Sequence, residues 1–359
     1  MSRRIEKQAA LSETFNPGRR KLLAAAGSVA LAAPLAGLGG YAWAQTKPPL
    51  AQKTKLTFAW SQVSFCLTPV PVALETGIFE KNGLDVALIN YSGSNDQLLE
   101  SLATGKADAA IGMIHRWLKP LESGFDVKII ASAHGGCVRL MAYKPTGITK
   151  IAQLRGKSIG VPDLAQPAKH FFSVYLKKHG IDPDKDITWK AYQADLLGLA
   201  AEKGEIDAIA YSDPTLFRIE RDSKAGYVHL ATNTDPPYDD KMCCVVGVGG
   251  HLIKNNCPAA AALARSLMEA YDWTNAHREE GAKIFRKYAA NLSVEDLQIL
   301  YKQLTMHVHP MQTKLRDQIV FFAKDFKELG VLKASTDPVK FANHVYYDVL
   351  PEVCASPRA

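Results

Sequence analysis

The chain has 359 residues, of which 47% are hydrophobic and 22% charged, and a formal net charge of +7. This is the composition of an ordinary globular protein and not of a disordered or low-complexity one. Six of the basic residues and two of the acids fall within residues 1–44, so the remainder carries only +3, with both signs interspersed. That balance gives no electrostatic footing to a nucleic-acid or membrane-surface partner.

The N-terminus reads as a removable leader. Arg19-Arg20-Lys21 precedes an apolar run from Ala24 to Ala42, which closes on Ala42-Trp43-Ala44. A basic region, a short apolar region and a small-x-small site make a secretory signal cut before Gln45, and the paired arginines point to the twin-arginine route. A membrane anchor is the alternative, but the glycines, Pro34 and the cleavage pattern count against it, and no Cys follows the cut to carry a lipid. The expectation is a protein free in the periplasm, with about 315 residues, enough for two lobes.

From Lys55 onward, strand and helix patterns alternate. Leu56–Trp60 is a buried strand ending in the polar loop Ser61-Gln62-Val63-Ser64, and a helix over Pro69–Thr76 stops at Gly77. Leu84–Ile89 is a second strand, whose loop Tyr91–Asn95 opens a helix running to Ala103. Ala107–Gly112 is a third, with Met113-Ile114-His115 as its loop. Repeated β-loop-α units imply a largely parallel sheet under helices, with ligands at the loops beyond the carboxyl ends of the strands.

The middle of the chain repeats the plan. A short helix from Ile151, a turn at Gly156 and a strand to Val161 lead through Pro162–Gln166 into a helix begun by Pro167, and Ile187–Tyr192 is another strand. Gly105-Lys106-Ala107-Asp108-Ala109 is echoed by Gly204-Glu205-Ile206-Asp207-Ala208, each copy entering a strand that ends in a loop, the second being Tyr211-Ser212-Asp213. Two lobes of like plan facing each other would enclose a cleft. After Pro258 the pattern turns helical over Ala259–Arg278, Gly281–Ala290 and Gln312–Leu329, expected behind the first lobe.

The segment Ala73-Leu74-Glu75-Thr76-Gly77-Ile78-Phe79-Glu80-Lys81-Asn82-Gly83-Leu84-Asp85-Val86 resembles the periplasmic binding proteins for nitrate, taurine, aliphatic sulphonates and thiamine precursors. Leu102–Ala109, Leu154-Arg155-Gly156-Lys157 and Gly204–Asp213 extend the match across residues 55–215. The resemblance implies an α/β fold of the type II periplasmic binding protein class, with two Rossmann-like lobes, a two-strand hinge and C-terminal helices. It places lobe one at 55–143 plus 243–354 and lobe two at 144–242. The crossings would lie near Leu140–Tyr143 and Cys243–Val246. It further implies a monomer that needs no cofactor, captures a small anionic or zwitterionic organic ligand and passes it to the permease of an ABC importer.

On that frame the candidate cleft residues follow the strand ends. In lobe one they are Ser61, Gln62, Ser64, Phe65 and Cys66, then Ser92, Gly93, Ser94 and Asn95, then Ile114 and His115. Hydroxyls, an Asn and free N–H groups at a helix start suit an anionic oxygen, though Ser94 or Asn95 could equally cap its own helix. Near the crossings come His134, Gly135 and Arg139, the last a partner for a carboxylate or sulphonate or else for a hinge salt bridge. Lobe two would add Asp163, Gln166, Tyr192, Tyr211, Ser212 and Asp213, and the return crossing Cys243 and Cys244. Asp213, acceptor-only when ionised, would suit an amine or ring N–H and disfavour bare nitrate.

Six cysteines are unusual in an exported chain: Cys66, Cys137, Cys243, Cys244, Cys257 and Cys354. One or two disulfides are the simplest reading, for instance from Cys137 to Cys243 or Cys244. Buried inert thiols are a second, and a soft-metal site built from Cys66, His115, His134, Cys137, Cys243 and Cys244 a third. Among rival functions, a thiamine-pyrimidine-synthase-like enzyme would share the fold, but only Cys243-Cys244 stands where that branch has a longer Cys run. No nucleophile elbow, phosphate-binding loop or HExxH is present.

Overall fold

The computed structural model describes residues 49–91, 95–289, 291–306, 311–350 and 354; the leader and the candidates Ser92, Gly93 and Ser94 lie outside them. Among the described residues, ten strands form two sheets of five. The first contains β1 (Thr54–Trp60), β2 (Leu84–Asn90), β3 (Ala109–Met113), β4 (Val127–Ser132) and β10 (Cys244–Gly249), in the order β2-β1-β3-β10-β4. The second contains β5 (Val138–Tyr143), β6 (Lys157–Val161), β7 (Ile187–Ala191), β8 (Ala208–Ser212) and β9 (Tyr227–Thr232), in the order β7-β6-β8-β5-β9. The two orders are the same, and in each the fourth strand runs antiparallel to its neighbours. That strand is β10 in the first sheet, supplied after the chain has returned, and β5 in the second, supplied as the chain arrives.

The repeated Gly-x-x-Asp-Ala segments earn their similarity structurally. Gly105 and Gly204 both adopt left-handed backbone, φ +71° and +72°, at a helix end where a side chain would be strained. Asp108 then accepts from the Thr57 N–H of β1 at 2.7 Å, and Asp207 from the Ser158 N–H of β6 at 2.8 Å. Each carboxylate pins the start of its own strand to the next one in the sheet. The echo is therefore a sheet-building device.

Close packing shapes the centre of the first sheet. Trp117, on the helix Ile114–Glu122, lies over Gly112 of β3 and Gly247 of β10. A Cβ on Gly247 would come within 2.3 Å of the indole, so only a glycine admits it. The C-terminal helices are Gly250–Ala276, kinked at Asn256, then Arg278–Arg286, Val294–Gln303, Gln312–Glu328 and Pro338–Val345. No helix among the described residues is long and apolar enough to cross a membrane.

Two expectations are corrected. β5 belongs wholly to the second sheet, so the outward crossing falls at 133–137 and not at Leu140–Tyr143, and the return crossing at 233–243. The crossings are thus irregular segments flanking strands, fastened together by Asn233, whose Oδ1 accepts from the Cys137 and Val138 N–H groups at 2.8 and 2.9 Å. Secondly, Gln312–Glu328 does not pack only behind the first sheet. Its Asp325 receives Lys178 at 2.6 Å, from the helix between β6 and β7, and the Tyr238 hydroxyl at 3.0 Å, from the return crossing.

Candidate functional site

A cavity of about 350 Å³ lies between the two sheets at the carboxyl ends of their strands. From the first sheet it is lined by Ser61 just past β1, Tyr91 just past β2 and Met113 at the end of β3. From the second come Pro162 and Asp163 past β6, Gln193 past β7, and Tyr211 and Ser212 at the end of β8. Strand ends of two sheets thus converge on one space, as expected of open α/β folds. Gln166, beside Pro167 at the start of the helix Pro167–Lys178, adds an amide, and the helix N-terminus adds its positive dipole. Asp163 brings the one carboxylate among the lining residues, and its Oδ1 accepts from the Ala165 N–H at 2.6 Å.

Cys66, Cys137 and Cys244 also line the cavity, and Cys243 lies behind them. All four are buried free thiols, with the Cys137 and Cys243 sulfurs 3.3 Å apart and unbonded. The bridge expected from Cys137 is therefore not formed. The two sulfurs meet where the outward and return crossings run together, one residue before β5 and one before β10. The disulfide that does form joins Cys257 and Cys354, with Cα atoms 5.1 Å apart. Contacts from Cys137 and then Cys244 pull the Cys66 thiol down to about 6, while contact with Cys137 and burial push Cys243 up. His134 stands beside this group, wholly buried. Its donor atoms fall within 4.8 Å of those of Cys66 and Cys244, and likewise of Cys137 and Cys243.

The sequence candidates divide clearly. Ser61, Ser64, Cys66, Asp163, Gln166, Tyr211, Ser212 and Cys244 reach the cavity. Ile114 and His115 do not: the helix begins at Ile114 directly after β3, with no intervening loop, and turns both side chains into the core. His115 is ringed by Phe171, Phe322 and Phe326, with ring centres 4.9–5.6 Å away, and this desolvation pushes its pKa down to about 3. It takes no part in the thiol group either. Phe65 packs on Phe285 and Tyr301. The Gln62 N–H donates to Asn90, and the Gly135 N–H to the Thr305 carbonyl, away from the cavity. For Asn95 only the backbone, at a helix start, is described.

Arg139 and Asp213 satisfy each other. Their Nη2–Oδ1 distance is 2.5 Å, both side chains are buried, and Glu220 holds the second guanidinium nitrogen at 3.0 Å. They border a separate hollow on the far side of the crossings, with His229 and Thr232. Arg139 and Asp213 thus form a buried ion pair that lies outside the cavity between the strand ends. Tyr192 misses the cavity, whereas its neighbour Gln193 lines it. Alternation along an extended chain sends adjacent side chains to opposite faces, and nothing local told the two apart. Tyr91 and Met113 were missed too, although both stand at strand ends already identified.

Solved structures of the same fold include the nitrate-binding protein NrtA of Synechocystis PCC 6803, with a TM-score of 0.69 and 16% identity, covering 86% of this chain and 89% of that one. They also include the alkanesulfonate-binding protein SsuA of Xanthomonas axonopodis pv. citri bound to MOPS, with a TM-score of 0.68 and 16% identity, covering 83% and 99%. In sequence, the bicarbonate-binding protein CmpA of a Synechococcus species is 24% identical over 254 residues, covering 61% of this chain and 54% of the relative. The chain therefore spans about half the length of the curated relatives it matches. A family profile described as NMT1/THI5 like matches residues 64–281, more than half of the chain and nine of its ten strands, and the protein belongs to that family.

Proposed function

We propose that the protein is an exported solute-binding receptor that captures a small polar organic molecule between its two sheets and presents it to an ABC importer. The observation that carries this reading is the cavity built from strand ends of both sheets, with two crossings between them. The sheets with their helices then act as lobes, and the crossings as the hinge of a clamp. Relatives named for binding bicarbonate, nitrate and alkanesulfonates support a small-solute role. Export by residues 1–44, a periplasmic location, a monomeric state and the absence of catalysis belong to the same proposal.

The lining narrows the ligand. Ser61, Ser64, Gln166, Tyr211 and Ser212 donate or accept hydrogen bonds, and Asp163 accepts only. A zwitterion satisfies this set, its acidic group meeting the hydroxyls and the helix start and its amine meeting Asp163. Thermal-shift screening of amino-sulphonates, sulphonates, nitrate, bicarbonate and pyrimidines is the test. A cognate ligand at 100 times its dissociation constant stabilises the fold by about 2.7 kcal/mol. Asp163→Asn should weaken a zwitterion by about 1–3 kcal/mol. No stabilisation by any compound, or conversion of one into product, would overturn the receptor reading.

A further inference from the structure

We propose that the floor of the cleft is a metal site, in which His134, Cys66 and Cys244, with Cys137 or Cys243 as a further thiolate, hold one thiophilic d10 ion, Cu(I) or Zn(II). The donor set comes from three separate stretches of chain: Cys66 after β1, His134 and Cys137 on the outward crossing, and Cys243 at the end of the return crossing with Cys244 at the start of β10. Donors sharing one tetrahedral ion at bond lengths of about 2.0–2.3 Å lie about 3.3–3.8 Å apart. The observed separations lie within 4.8 Å in each of two triads that share His134, so binding draws the donors together by up to about 1 Å.

The imidazole is already set for ligation. His134 Nδ1 lies 2.6 Å from the Gly135 carbonyl, which can only accept, so the proton sits on Nδ1 and Nε2 carries the lone pair. Nε2 is buried and has no hydrogen-bond partner among the described residues. A buried acceptor left without a partner is costly, and a histidine oriented by a carbonyl on its other nitrogen is the usual arrangement of a metal ligand. Soft sulfur donors with one imidazole select Cu(I) or Zn(II) over hard cations. Each thiol that ligates releases its proton to solvent, so the three thiolates leave one net negative charge with a divalent ion and two with a monovalent one. Cys66, Cys137 and Cys244 line the cavity, so the ion enters from the cleft and faces it.

The test uses the full chain, reduced and stripped with chelator under anaerobic conditions. Titration with Co(II) as a spectroscopic stand-in for Zn(II), and separately with Cu(I) against a chromogenic competitor, should each be followed by metal analysis. One ion per chain is expected, with thiolate-to-cobalt charge-transfer absorption. Cys66→Ser and Cys244→Ser should each weaken binding by at least about 100-fold, the upper end of what an outer partner of a ligand alone contributes. Cys257→Ser should leave binding unchanged, because neither Cys257 nor its partner Cys354 belongs to either donor group. In the unmutated protein the bound ion should shield the thiols from alkylation under native conditions, a readout that needs no variant to fold. The relative occupancy of the two ions at equal supply identifies the natural one. Absence of stoichiometric binding, affinity unchanged in a folded Cys66→Ser/Cys244→Ser variant, or a native Cys137–Cys243 disulfide would overturn the proposal. None of these outcomes depends on the solute screen, so the metal site and the receptor role fail separately.

Discussion

Replacing His115 by Leu should flatten the acid limb of the protein's stability. His115 is 3% exposed, enclosed by Phe171, Phe322 and Phe326, and its Nδ1 has no hydrogen-bond partner among the described residues. Desolvation, helped by the nearby charge of His170, pushes its pKa from 6.5 to about 3. In the unfolded chain the same group titrates near 6.5. Between those values the unfolded state binds a proton that the folded state refuses, so stability is present above about pH 6.5 and is lost as the pH falls. At about 1.4 kcal/mol per pH unit, the loss due to His115 reaches about 2 kcal/mol at pH 5 relative to pH 7.5. His170, pushed down to about 4 by burial and by Arg116, acts in the same direction but remains in both proteins, so the difference between them isolates His115. Urea unfolding followed by circular dichroism at pH 7.5, 6 and 5 supplies the numbers. His115→Leu should lose about 2 kcal/mol less than the parent over that range and bind the cleft ligand unchanged. Parallel pH profiles would refute the burial argument, and lost ligand affinity would return His115 to the cleft.

Three further outcomes follow from the crossings and the core. Asp213→Asn should cost about 3 kcal/mol in urea unfolding, because Arg139 then keeps Glu220, a third exposed, as its carboxylate partner, while calorimetric ligand affinity stays within about threefold. Gly136→Ala should destabilise by about 1–3 kcal/mol, since its Cβ would lie 2.4 Å from Thr234 Cγ2 and 2.7 Å from Asn233 Oδ1; an unchanged melting temperature would show that the crossings yield freely. Cys257→Ser, or reduction, should lower stability by about 4.7 kcal/mol through a released loop with a sequence separation of 97 residues, read from unfolding curves with and without reductant.

Within single elements, the sequence was a good guide. Strand ends such as Ser61, Asp163 and Ser212 were placed at the cavity because alternation, turn glycines and helix starts are set by residues a few positions apart. Where one residue decided the outcome, local pattern failed. Gln193 faces the cavity and Tyr192 does not, and the strand ending at Met113 runs straight into a helix that buries His115. The helices after Gly250 were seen only in part, since Val294–Gln303 and Pro338–Val345 are short and their apolar faces are completed by other segments.

By itself, then, the sequence determined two repeated β-loop-α halves and the loops that meet in a cleft, because the periods that encode them span only a few residues. Tertiary structure alone decided what those loops bring together. Arg139 finds Asp213 across 74 positions, the Cys137 sulfur touches that of Cys243 across 106, and His134 joins both thiol pairs. Such meetings depend on sheet order and on where the chain crosses between sheets, and β5 crosses earlier than its sequence suggests. Separations of that length leave no local periodicity to read, so the ion pair and the thiol floor emerge only when both sheets are assembled.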